Sequence, residues 1–177
     1  MSHRKIIAVM IVLPVFALGT WAQTSPPKHQ HLDVPVTVVD GAKNPELIPD
    51  STAYRVWLVT VSLPSNATDK ERAFQQAHLR KLQLSGADYS TLLSVLSDFK
   101  DQYLTLIASF NESAKAALLH GSQPDQQSFL QLRDDLVSST RASIAQRLSP
   151  DGAARVEAHV QGEKSHIQLH TTGGAQQ

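Results

Sequence analysis

Between Asp88 and Leu119, the residues Leu92, Leu96, Phe99, Tyr103, Leu106, Phe110, Ala114 and Ala117 recur at intervals of four or three. At ~100° per residue they fall within ~80° of arc, the seam of a coiled-coil-like helix. Ser94, Asp98, Asp101, Thr105 and Glu112 occupy the opposite face and suit solvent. Asp88 reads as the cap of this helix, and His120-Gly121 as its stop. A rod of this length, ~46 Å at 1.5 Å per residue, is longer than a compact small domain is wide. It therefore predicts an all-α chain: an elongated antiparallel helical bundle or hairpin of four to five helices.

The flanking segments complete that frame. A fourth helix is expected from near Pro124 to near Leu148, with Phe129, Leu132, Leu136, Thr140, Ile144 and Leu148 as its stripe. The short link Gly121-Ser122-Gln123 makes it antiparallel to the third. A fifth begins at Ser149-Pro150-Asp151, an N-cap followed by proline at the first helical position. Its apolar stripe is Ala153, Val156, Val160 and Ile167, and the helical domain is expected over 51–170. Upstream, Thr68-Asp69-Lys70-Glu71 is a capping box, which opens a helix to about Leu84. Ala73, Ala77 and Leu84 project on one side and Leu79 and Leu82 on the other, so contact on two sides is expected. Asp50 to Leu63 is apolar all round from Val56 to Val61, which calls for burial. It suits a helix, or a strand with Trp57, Val59, Val61 and Leu63 on one face; the helix is the reading favoured, with Pro64 as its end. Residues 23–50 form an irregular N-terminal arm punctuated by prolines. Within it, Val34 to Asp40 is extended, as an edge strand or simply as an arm. Residues 171–177 read as a disordered tail.

The start of the chain has another purpose. His3, Arg4 and Lys5 precede the apolar run Ile6–Leu18, and Thr20 and Ala22 are the small residues of a cleavage site. That is the pattern of a secretory signal peptide over 1–22, too short and too interrupted by Pro14 for a stable membrane span. Localisation is therefore expected to be periplasmic or extracellular. The chain of 177 residues contains no Cys, which excludes disulfides, thiolate metal sites and cysteine nucleophiles. Its 16 Lys+Arg balance 16 Asp+Glu, leaving no large field to attract nucleic acid. No basic stripe interleaved with aromatics is present, so nucleic-acid binding is not expected.

No phosphate-binding glycine loop, dinucleotide fingerprint, nucleophile elbow or His-Glu-x-x-His helix occurs. The expectation is a non-catalytic protein without a required cofactor. Histidine is the exception to this plainness. His159, Glu163, His166 and His170 are spaced four, three and four, and on a continuous helix they share one face. Neutral imidazoles one turn apart can share Zn or Cu, so these four are the candidate metal ligands. The alternative is a set of rim residues flanking the buried stripe, with His166 and His170 suited to the C-terminal end of the helix dipole. Glu163-x-x-His166 is half of a di-iron motif, and the chain lacks the second half. Lys28-His29-Gln30-His31 offers a second, terminal metal clasp or a polar arm.

Two resemblances follow from particular runs. Gly41-Ala42-Lys43-Asn44-Pro45-Glu46-Leu47-Ile48-Pro49-Asp50 is followed by Ala53-Tyr54-Arg55, by Leu148-Ser149-Pro150-Asp151-Gly152, and by His159-Val160-Gln161-x-Glu163-Lys164-x-His166. Together they resemble a group of small, exported, uncharacterised bacterial all-helical proteins. Leu148-Ser149-Pro150 opening a helix is also similar to the LTxxQ-motif, Spy-like periplasmic family of chaperones and stress- or metal-responsive regulators. Here Ser149 replaces that family's Thr, and Gly152 stands at its Gln. The resemblance implies an ATP-independent chaperone-like role. Its partners would be envelope proteins or unfolded clients, or a second copy in a homodimer.

Overall fold

The computed structural model describes residues 36–172, which form five helices and one two-stranded sheet. The order is β1 (Val36–Asp40), a 3-10 turn (Pro45–Leu47), α1 (Asp50–Val61), α2 (Asp69–Arg80), α3 (Gly86–Leu119), α4 (Gln126–Arg147), α5 (Pro150–Glu163), a second 3-10 turn (Lys164–His166) and β2 (Gln168–Thr172). The all-α class is as expected from the seam.

The apolar segment upstream of Pro64 is helical, as favoured, and α1 packs against α2, α3, α4 and α5. Ala53, Tyr54, Trp57, Leu58 and Val61 are its buried residues. Burial is not complete all round, because Val56 and Val59 keep 42% and 37% of their surface in solvent. Of these four neighbours, α2 contacts α1 least. Indeed α2 buries Leu79 alone, followed by Leu82 in the turn beyond it, while Ala73 and Ala77 are exposed. The expected second contact face is absent, and the helix stops at Arg80 rather than Leu84.

The far end of the chain departs most from the sequence reading. The fifth helix ends at Glu163, and the chain then extends as β2. The cause lies upstream: the β-branched run Val36–Asp40 needs a partner for its backbone groups, and β2 supplies it, antiparallel, with Val38 opposite His170 and Asp40 opposite Gln168. Val39 and Leu169, paired across the strands, pack on the core. Such a ribbon is marginal alone and is held by that packing. Gly41 joins it to the helices: its amide donates to the Ile167 carbonyl at 2.9 Å. A Cβ at position 41 would stand 2.0 Å from the Lys164 carbonyl oxygen, so only glycine allows this approach.

α3 is 34 residues long and packs against α4 and α1. Leu92, Leu96 and Phe99 are buried, whereas Tyr103, Leu106, Phe110, Ala114 and Ala117 are only half-buried. On α4, Val137, Thr140 and Ile144 are buried, and Leu132, expected on its stripe, is 55% exposed. The core thus surrounds the base of the α3–α4 hairpin. Beyond Tyr103 and Leu136 the two helices lie chiefly against each other, with Phe110 and Phe129 in ring contact at 4.5 Å.

These positions differ in expected cost. Phe99→Ala, which empties a fully buried site, should destabilise the protein by ~3–5 kcal/mol. Phe110→Ala on the same seam should cost clearly less, and exposed Asp101→Ala should change stability by less than about 0.5 kcal/mol. Chemical denaturation of the three variants checks this order.

Candidate functional site

The residues that carry chemistry fall into four groups. The first joins two helix starts. Ser85, not Asp88, is the N-cap of α3: its hydroxyl accepts from the Asp88 amide at 3.1 Å. Asp88, one turn in, returns the bond by accepting from the Ser85 hydroxyl at 2.8 Å. The same carboxylate reaches across to α5, where it accepts from the Ser149 amide through Oδ1 and from the Ser149 hydroxyl through Oδ2, each at 2.7 Å. Ser149 meanwhile caps α5 by accepting from the Gly152 amide at 3.1 Å. One buried carboxylate, 7% exposed, therefore serves the N-terminal ends of two helices. Negative charge is favoured there by both sets of unpaired amides. The bonds from Ser149 and Ser85 hold the Asp88 carboxyl below its usual value near 3.8.

Gly152 is the space this junction needs. A Cβ there would stand 2.7 Å from Asp88 Oδ2.

The second group closes α5 over α1 and α4. Tyr54 Oη donates to Glu157 Oε2 at 2.5 Å, and Gln161 Nε2 donates to Glu157 Oε1 at 2.8 Å. Arg141 of α4 pairs with Glu157 at 3.0 Å and with Asp50 at 3.6 Å, its guanidinium 4.7 Å from the centre of the Tyr54 ring. Lys164 Nζ binds Asp50 at 2.6 Å. Burial and the bond to Glu157 push the Tyr54 hydroxyl well above its usual range. Desolvation raises Glu157, but the bonds from Tyr54 and Gln161 and the charge of Arg141 outweigh it and leave the carboxyl lowered. Asp50 is lowered too, first by Lys164 and then by Gln161. Asp50, Tyr54, Arg141, Glu157, Gln161 and Lys164 form a mutually satisfied clasp.

The histidines are the third group. Because α5 ends at Glu163, His159, Glu163, His166 and His170 do not share a helical face: His166 closes the 3-10 turn, and His170 is a strand residue in the sheet. His159 Nε2 lies 3.7 Å from Glu163 Oε1. His159, Glu163 and His166 line a cavity of about 100 Å³, joined by His78 of α2, which the sequence did not single out. His78 Nδ1 stands 3.0 Å from the Phe74 carbonyl oxygen, which can only accept, so the proton of the neutral ring is on Nδ1 and Nε2 keeps its lone pair. Burial lowers the pKa of His159, against the opposing pull of Glu163 and with help from Lys81 and His78. Among the described residues, no group of three or more His, Asp or Glu forms a metal-holding cluster. Lys28-His29-Gln30-His31 and the leader over 1–22 lie outside the described residues.

The fourth group is apolar. Leu118 and Leu119 at the end of α3 are 67% and 78% exposed, and Leu130 and Leu132 at the start of α4 are 44% and 55% exposed. Leu104, at 43%, lies just beyond the core. Phe110, Phe129 and Leu132 also line a cavity of about 200 Å³ with Ser109, Ser113 and Ser128. The seam pattern located these helices but did not reveal that, among the described residues, half of the seam lacks a third partner. Among the described residues, no helix is long and apolar enough to cross a membrane. Compared with protein-family models, curated proteins and solved structures, the chain matches none.

Gly152→Ala should destabilise by ~1–3 kcal/mol, because Asp88 must move from a packed position. Gly162→Ala, with open space around it, should stabilise by up to about 0.5–1 kcal/mol. Opposite shifts of the denaturation midpoint are the expected result. The lowered carboxyls set the pH response. Their stabilisation is complete above their unfolded values, near 3.8 for Asp88 and Asp50 and 4.5 for Glu157, and is lost as pH falls through the lower folded values. Asp88→Asn should lower Tm at pH 7, and its deficit relative to the native protein should shrink on acidification below about pH 4. Melting curves from pH 7 to 3 test this.

Proposed function

We propose that the protein is exported and non-catalytic, and that it holds apolar segments of unfolded chains on the distal half of the α3–α4 hairpin in a chaperone-like manner. The observation that carries this reading is the set of exposed leucines, Leu118, Leu119, Leu130 and Leu132, gathered around the hairpin turn and away from the core. Fully covering one such side chain is worth ~1.5–3 kcal/mol, so a few suffice for transient capture. Exposed apolar surface of this kind marks interaction sites. The mutual satisfaction of the clasp supports a structural rather than catalytic role for the polar residues. The leader pattern supports export, and the Leu148-Ser149-Pro150 resemblance supports the chaperone class.

Light scattering of an aggregating client, without ATP or metal, tests it. Suppression near equimolar ratio is expected from the native protein. Leu118→Asp with Leu132→Asp should abolish suppression while leaving Tm within about 2 °C, since both sites are exposed. Absence of suppression, or a stable dimer that covers these leucines, would overturn the reading.

A metal-responsive role is the second reading, favoured by the single cavity that His78, His159, Glu163 and His166 line. Side-chain movement would have to draw them together on Zn or Cu. If so, micromolar zinc should raise Tm at pH 7.5 and much less at pH 5.5, where imidazoles protonate. His78→Ala with His159→Ala should remove the response.

A further inference from the structure

A cavity of about 580 Å³ opens between the end of α1, the loop after it, the start of α2 and one side chain of α3. Its volume is that of small-molecule sites, ~300–1,000 Å³. Val59, Leu63, Pro64 and Phe74 supply apolar walls, and two of them are open to solvent, Val59 at 37% and Phe74 at 48%. Lys70 and Lys100 line the same cavity. Neither enters an ion pair among the described residues. Glu71 lines the cavity too, and its Oε2 accepts from the Thr68 amide and the Thr68 hydroxyl, each at 2.7 Å. Lys100 also draws on the Glu71 charge, so the lining sets two ammonium groups against one carboxylate and keeps one positive charge in surplus.

Apolar walls beside a surplus of positive charge define an occupant with two halves. We propose that this cavity binds a single-chain alkyl carboxylate, its chain against Val59, Leu63 and Phe74 and its head group with Lys70 and Lys100. Charge complementarity selects the carboxylate over an alkylammonium, and the wall composition selects a chain over a small inorganic anion. The site is separate from the hairpin end and does not depend on the chaperone-like reading.

Calorimetric titration of the folded protein with sodium decanoate, below its micellar range, tests it. Saturable one-to-one binding is expected. Each methylene buried is worth about fourfold in affinity, so octanoate, two methylenes shorter, should bind about fifteenfold more weakly. Lys70→Gln with Lys100→Gln should weaken decanoate by about fivefold, in the range of partly exposed charge contacts. Phe74→Ser should weaken it too, and Leu132→Asp on the hairpin should leave it unchanged. Equal affinity for decyltrimethylammonium, absence of saturation, or loss of binding in Leu132→Asp would overturn the proposal.

Discussion

The fold turns on one carboxylate placed between two helix starts. A helix N-terminus leaves amides unpaired, and an acidic group there satisfies them and complements the dipole. Asp88 does this locally for α3, through Ser85, and at long range for α5, through Ser149. Sixty-one residues of chain separate Asp88 from Ser149, and the whole α3–α4 hairpin is that connection. Fixing its two ends side by side sets the register of α3 against α4 and aims α5 back along α1. The approach is so close that position 152 has no room for a side chain.

The rest of the domain follows from the direction α5 takes. Val156 and Val160 complete the core around α1, and Glu157, on the edge of the same face, meets Tyr54 and Arg141. At its far end Lys164 reaches Asp50 at the start of α1, and β2 closes on β1. Both ends of α5 are therefore tied, by Asp88 at one and by Asp50 and Gly41 at the other. Among the described residues the hairpin is tied at its base, and each helix of its distal half has the other as partner, so Leu118, Leu119, Leu130 and Leu132 stay exposed.

The local signals were legible. The seam of α3, the capping box at Thr68-Glu71 and the cap at Ser149 each depend on residues within a turn or two of one another, and each stands as read. What failed was long-range. Asp88 could be seen as a helix-start residue, and Ser85 three positions earlier could have corrected its role, but its bond to Ser149 has no local signature. The histidine stripe assumed that α5 ran on to His170. The four-and-three spacing favours a helix, yet pairing with Val36–Asp40 captured Gln168–Thr172 as a strand. The seam also said nothing of depth: Phe99 and Phe110 are equivalent in pattern, and only the position of α1 makes the first buried and the second half-exposed.

The proposed function rests on a division of stability within one hairpin, between a base locked by the Asp88 junction and a distal half whose helices lie chiefly against each other. Native-state amide hydrogen exchange measures that division directly. The amides of Leu96, Phe99, Ile144, Val156 and Ser149 should share the highest opening free energy. Those from Ala108 to Ala117 and from Leu130 to Arg133 should exchange through a separate opening that costs far less. Uniform protection along α3 and α4, or a Ser149 amide that exchanges as fast as the hairpin end, would contradict it.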